Sequence, residues 1–269
     1  YGIARDFKIL KTGGVFIQSS EAGAEVRANG KSKRASLLGN SAFIKNLLPG
    51  SYKVSVWKNG FRTWEKTLTV NSETVTSRAV LLVPQNILGR MLFTTSPEIK
   101  ILKPAYPSVK KYWPLDSNYF LILGEDKKFY KNKELFDATS TWGTTTTTIL
   151  TGKKISFFDE NFARLIYWDD DSIDSYWIGK PDKMPMWQDT RYLHVFSSIG
   201  HIRSVAGYPG WSDYLIVAAV NGIWVLEMDS SGGQNIVPLY KGKAPEIIFI
   251  EPGKLILKDD GNFIELEIP

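Results

Sequence analysis

The sequence predicts an all-β protein in two units, a small β-sandwich followed by a larger antiparallel β domain. Three observations predict it. Nearly every apolar segment either alternates with period two or runs for a few residues between turn signals, which is strand patterning. Turn pairs such as Asn29-Gly30, Pro49-Gly50 and Asn59-Gly60 separate those segments, and Asn-Gly between alternating hydrophobics is a strong hairpin signal because both residues tolerate positive φ. No convincing amphipathic helix of ten or more residues stands out anywhere in the 269 residues.

The first unit, residues 1–84, reads as six or seven strands: GVFIQSS (14–20), AEVRANG (24–30), AFIKNL (42–47), YKVSVWK (52–58), WEKTLTV (64–70) and TVTSRAVLLV (74–83). The alternation places Tyr52, Val54 and Val56 on one face and Lys53, Ser55 and Trp57 on the other. Past the Asn59-Gly60 turn, Trp64, Lys66, Leu68 and Val70 share a side. A hairpin with one apolar face is marginal alone, so this face must bury against a second sheet.

Past Pro84 the texture changes: Pro97, Pro104 and Pro107 punctuate a linker, residues 85–111, in which docked strands are possible. From residue 112 the strands return with longer spacing. Residues 118–136, 153–179, 202–240 and 245–269 form four comparable units, each with an apolar strand, a turn rich in Asp, Asn or Gly, and a second strand with Trp, Phe or Leu. Meander units of this length resemble β-propeller blades, which makes 112–269 a propeller-like domain, small or incomplete as a ring.

Composition narrows the chemistry. The chain has 43% hydrophobic and 23% charged residues and a net charge of +5, the profile of an ordinary globular protein. Cysteine is absent and His194 and His201 are the two histidines, so disulfides, thiolate nucleophiles and cysteine–zinc sites are excluded. No apolar run approaches the roughly 18 residues of a membrane-spanning helix; residues 214–226 come nearest and are broken by Asn221-Gly222. Residues 1–84 hold 13 basic and 5 acidic side chains, while the remainder is mildly acidic. That basic excess suits a solvated face, an acidic polymer or an anionic membrane; nucleic acid is disfavoured, since no recognised binding motif accompanies it.

The first unit resembles the PEGA domain, a small β-sandwich module of microbial envelope and surface-layer-associated proteins. The residues that carry the resemblance are Gly23-Ala24, Asn29-Gly30, Leu48-Pro49-Gly50-x-Tyr52-x-Val54-x-Val56, Lys58-x-Gly60-Phe61 and Trp64, over roughly 13–84. Glu21-Ala22-Gly23-Ala24 stands where the family writes Pro-Glu-Gly-Ala, and Phe61 replaces the commoner tyrosine. The module brings no catalytic motif. The resemblance implies a cell-envelope location outside the cytoplasm, with a membrane-spanning helix expected just upstream of Tyr1.

Candidate sites are few. Asp169, Asp170, Asp171 and Asp174 have some calcium-loop character, but Asp174 occupies the glycine position, and an acidic hairpin tip is the expectation. His194 and His201 flank Ser197 and Ser198; no Gly-x-Ser-x-Gly elbow is present, and a Ser–His–Asp set is left to spatial geometry. The threonine-rich segment 138–152 reads as a β-branched strand or extended loop. Trp187 and Trp211 lie in turn-like surroundings where large rings are less expected; packing is one reading, and with basic Arg5, Lys8 and Lys11 they form the candidate interaction surface. No catalytic residue, cofactor or metal site is expected. The functional expectation is a non-enzymatic envelope protein that binds a protein partner, the alternative a binder of cell-wall glycan, and a hydrolase the third.

Overall fold

The structure, a computed structural model, describes residues 2–3, 9–36, 39–92, 109–114, 120–132, 134–152, 154–197 and 200–269. It is all-β apart from one helix and one 3₁₀ turn at Pro181–Lys183. β1 (Gly2–Ile3) pairs antiparallel with β2 (Ile9–Leu10) ahead of the sandwich.

The sandwich is built from β3 (Gly13–Ser19), β4 (Glu25–Ala28), β5 (Lys31–Arg34), β6 (Ser41–Leu47), β7 (Gly50–Trp57), β8 (Trp64–Val70) and β9 (Val75–Val80). One sheet has the order β6-β3-β9, with β3 and β9 parallel; the other has the order β5-β4-β7-β8, antiparallel throughout. The face read from the alternation is the buried one: Val26, Ala28, Val54, Val56, Trp64, Leu68 and Val70 meet Val15, Ile17, Ala42 and Ile44 in one core. Burying each such side chain contributes about 1.5–3 kcal/mol. Asn29 and Gly30 both take positive φ, as the β4–β5 turn requires.

The second unit contains four four-stranded antiparallel sheets. β10 (Gly89–Leu92) precedes them in the chain. β11 (Val109–Pro114), β12 (Phe120–Gly124), β13 (Phe129–Lys131) and β14 (Glu134–Phe136) make the first sheet. After helix α1 (Ala138–Thr151) come β15 (Ile155–Phe158), β16 (Arg164–Trp168), β17 (Ser172–Trp177) and β18 (Tyr192–Ser197). β19 (Ser204–Tyr208), β20 (Trp211–Ala219), β21 (Gly222–Glu227) and β22 (Ile236–Lys241) follow. β23 (Glu246–Glu251), β24 (Lys254–Asp259) and β25 (Asn262–Glu267) make the last sheet, and β10 completes it by pairing with β25.

Three apolar clusters join successive sheets, as between propeller blades. Leu123, Phe129, Phe158 and Leu165 link the first to the second. Ile166, Val195, Val217 and Leu226 link the second to the third, and Ile216, Val225, Leu255 and Leu257 the third to the fourth. The docking of β10 places a strand inside the linker at 85–111, and the first sheet begins at Val109, three residues before the boundary read from sequence.

One expectation is corrected. Residues 138–152 hold helix α1 rather than a strand or loop. Asp137 caps its first turn by accepting from the Ser140 N–H, and Gly143 at φ 82° kinks it. β-Branched threonine resists helix through its restricted χ1. Here Thr146, Thr147, Thr148 and Thr151 each donate a hydroxyl to the carbonyl one turn back, at 2.9–3.1 Å, which satisfies the hydroxyls within the helix. Trp142 then packs its ring among Phe129, Phe136 and Phe158, with centroids 5.1–6.2 Å apart. Tertiary packing overrides a strand-forming composition.

Candidate functional site

Three polar constellations stand out. The first is the seam between the two units. Lys66 lies on the apolar face of β8, at the edge of its sheet, and is fully buried. Its ammonium lies 3.0 Å from both Glu227 Oε1 and Asp229 Oδ2 and donates to the Asp229 carbonyl. Arg78 Nε reaches the same Asp229 carboxylate at 2.9 Å. Trp64 Nε1 and Asn235 Nδ2 both donate to Glu227 Oε2, and the Thr67 N–H donates to the Gly232 carbonyl. Tyr214 of β20 donates to the Ala79 carbonyl and accepts from the Leu81 N–H. Burial raises the Glu227 carboxyl above its ordinary value, and the attraction of Lys66 offsets only part of that. Gly232, at φ 68°, has no room for a side chain, because a Cβ there would overlap the Thr67 carbonyl.

The second constellation is electrostatic. Within the sandwich each described carboxylate has a cation: Glu21 with Lys58, Glu25 with Arg27, Glu65 with Lys53, and Glu73 with Lys11. Lys66 and Arg78 are matched by the second unit. Lys31, Lys33 and Arg34 of the exposed edge strand β5, together with Lys45 of neighbouring β6, have no carboxylate partner among the described residues. Lys31 donates to the Asn46 carbonyl, and Lys45 sits 5.2 Å from the Phe43 ring. Cross-strand register sharpens the contrast. The row Lys31–Ala28–Val54–Lys66 crosses the sheet from one edge to the other, so one end is neutralised in the seam and the other faces water.

The third is a hydrogen-bonded chain on β17 and β18. A register shift lets Asp174 pair with His194, and His194 Nδ1 lies 2.9 Å from Asp174 Oδ1. His194 Nε2 lies 2.8 Å from Ser197 Oγ. Asp174 is nearly buried and also accepts from Tyr192 Oη and Lys154 Nζ. Its burial acts to raise its pKa, but the hydrogen bonds from His194, Tyr192 and Lys154 outweigh that and hold it below the ordinary value. Ser197 also lines a cleft of about 580 Å³ between the second and third sheets.

The residues singled out in the sequence fall as follows. Arg5 and Lys8 lie outside the described residues. Lys11 is exposed and paired with Glu73 at 2.9 Å. Trp187 is half-buried: its ring lies 5.4 Å from the buried Arg164 guanidinium, which Trp177 flanks at 5.5 Å, and its indole N–H donates to Asp213. Trp211 is half-buried against Tyr214. Both rings are engaged inside the second unit, because a desolvated guanidinium and a sheet core draw flat apolar faces. Asp169 turns onto Lys154 and the Ser172 hydroxyl, and the Lys154 contact foremost holds it well below the usual carboxylate range. Asp170 pairs with His201. Among the described residues no three acidic or histidine side chains converge on a metal position. Lys66, Arg164 and the β5 cations were missed as a group. A lysine on an otherwise apolar alternating face was the available signal for Lys66.

Comparison with known proteins agrees with the sandwich. The PEGA domain family matches residues 12–86. Among solved structures, the chain is similar to the β-propeller domain of Myceliophteria thermophila Cps50 (Swd1), at 11% identity, covering 84% of this chain and 67% of that one, TM-score 0.36. It is also similar to the AfRom2 CNH domain, at 9% identity with 89% and 67% covered and TM-score 0.33. Kluyveromyces lactis Hsv2 is at 10% identity, with 93% and 72% covered and TM-score 0.30. No curated protein matches the sequence.

Proposed function

From a PEGA domain at residues 12–86 joined to a propeller-like second unit, we propose a protein-binding module of the cell envelope, working outside the cytoplasm without turnover. Anchoring to the membrane through a segment upstream of Tyr1 belongs to the same proposal. The observation that carries it is the cationic ledge of Lys31, Lys33, Arg34 and Lys45, left without carboxylates on a domain whose other described charges are almost all paired. Concentrated like charge at a sheet edge steers and holds an acidic partner, and it discourages edge-to-edge aggregation.

The seam supports the reading in a second way. A buried, hydrogen-bonded ion cluster between the units makes the sandwich and the second unit one block, so a partner met by the ledge is also oriented relative to the head. Binding to poly-glutamate, used as the acidic probe, tests the ledge. The wild-type protein is expected to bind with a steep salt dependence, and the variant K31E/K33E/R34E/K45E to lose at least about tenfold in affinity at low salt. Equal binding by both would refute the ledge.

The second reading, an anionic cell-wall glycan, rests on Trp57, which is 38% exposed and lies in the cross-strand row Arg34–Glu25–Trp57. An exposed ring beside cations suits a charged sugar. Sedimentation with purified cell walls that is lost in Trp57→Ala and retained against poly-glutamate competition would favour it.

A further inference from the structure

The cleft between the second and third sheets has a mostly apolar lining. Phe196, Val217, Trp224, Leu226 and Ile236 line it, and Ser197 and Asn221 are the polar side chains of the lining. Its volume falls within the range of formed ligand pockets, roughly 300–1,000 Å³. Gln234 holds one side in place by donating from the third sheet's loop to the Val195 carbonyl and to the Glu227 carbonyl, both at 2.8 Å.

With His194 neutral, Ser197 has a definite hydrogen-bonding polarity. An ionised carboxylate only accepts, so the 2.9 Å contact between Asp174 Oδ1 and His194 Nδ1 places the imidazole proton on Nδ1. In the neutral ring Nε2 is then an acceptor, and the Ser197 hydroxyl at 2.8 Å donates to it. The Ser197 proton is thereby committed. What Ser197 offers the cleft is its lone pairs.

The same chain, Asp174–His194–Ser197, has the connectivity of a nucleophilic triad. Two observations favour recognition over reaction. Asp174 already shares its charge with the Lys154 ammonium at 3.2 Å and the Tyr192 hydroxyl at 2.9 Å, which weakens its support for an imidazolium formed on attack. Ser197, the last residue of β18, is held in regular ladder pairing opposite Ser172.

We propose that this cleft receives an aromatic side chain of the partner carrying a ring N–H, with the ring against Trp224 and Phe196 and the N–H donated to Ser197 Oγ. Indole meets both requirements, and tryptophan is enriched among residues that dominate protein interfaces. The inference rests on the protein-binding reading and adds to it a site on the second unit, away from the β5 ledge.

The probe is N-acetyl-tryptophanamide, compared with its indole-N-methyl analogue. Binding is followed through methyl NMR signals of Val217, Leu226 and Ile236. In the wild-type protein, N-methylation is expected to weaken binding about 3- to 10-fold, the worth of one hydrogen bond. In Ser197→Ala, whose site is exposed and whose fold the same spectra verify, both probes are expected to bind with the weaker affinity. Equal affinities in the wild-type protein, or shifts confined to other methyl groups, would overturn the proposal. So would stoichiometric labelling of Ser197 by a fluorophosphonate, which marks a nucleophile. Poly-glutamate binding is read separately, so loss of the ledge and loss of the cleft are distinguishable.

Discussion

Replacing Lys66 with methionine keeps an unbranched side chain one atom shorter and removes the charge from a site that is fully buried. Glu227 would keep Trp64 Nε1 and Asn235 Nδ2, and Asp229 would keep Arg78, but both carboxylates would lose an ammonium at 3.0 Å. Breaking a buried ion cluster by removing one partner costs about 3–5 kcal/mol, because uncompensated charge stays behind. At about 2–4 °C per kcal/mol for a chain of this order, the melting temperature should fall by roughly 6–20 °C. Scanning calorimetry is the assay. The wild-type protein should melt in one transition; Lys66→Met should either shift it by that amount or split it into separate melting of the two units. The double variant Lys66→Met/Glu227→Gln should lose less than the sum of the two single changes, since the neutral amide no longer needs the ammonium. A shift under about 2 °C, with one transition retained, would refute the claim that the seam couples the units.

Other perturbations follow from the same geometry. Glu227 has a raised folded-state pKa, so its contribution to stability is complete below the ordinary glutamate value of 4.5 and is lost as pH rises through the raised value. Denaturant unfolding across that window should show a declining component that Glu227→Gln removes. Gly232→Ala should destabilise by more than the roughly 1–2 kcal/mol of left-handed backbone alone, because its Cβ also collides with the Thr67 carbonyl; urea midpoints measure it. Gly143→Ala, where a Cβ meets open space but the backbone at φ 82°, ψ 166° lies in a region kept almost wholly to glycine, should cost that backbone strain alone, about 1–3 kcal/mol, by the same measurement. Asp174 runs the other way: its lowered pKa gives stability that is present above the ordinary aspartate value and lost as pH falls through the lowered one. Acid titration of Asp174→Asn against wild type shows the difference.

The sandwich was legible because its strands obey a strict period of two and its turns use residues that tolerate positive φ. Val54, Val56, Leu68 and Val70 fall on the buried face that the alternation assigned. The strands of the second unit were visible for the same reason. Helix α1 was not, since its threonine content signals strand, and what holds the helix is the tertiary packing of Trp142, with the threonine hydroxyls satisfied on carbonyls one turn back. The polar sites were the least legible. Lys66 meets Glu227 across 161 residues of chain, and His194 meets Asp174 only through a register shift in the β17–β18 ladder. Trp187 and Trp211 stood open between core packing and a binding surface because sequence shows their turn-like neighbours and not the buried Arg164 or Tyr214 against which they pack.

The most direct test of the binding role is site-specific photocrosslinking in intact cells. A photoreactive residue replaces Ser32 on the exposed β5 strand in one strain, and Met186, an exposed residue of the second unit, in another. A discrete protein adduct from position 32, abolished when Lys31, Lys33, Arg34 and Lys45 are reversed in charge, is the expected result. No adduct from position 32, or the same adduct after charge reversal, would contradict it.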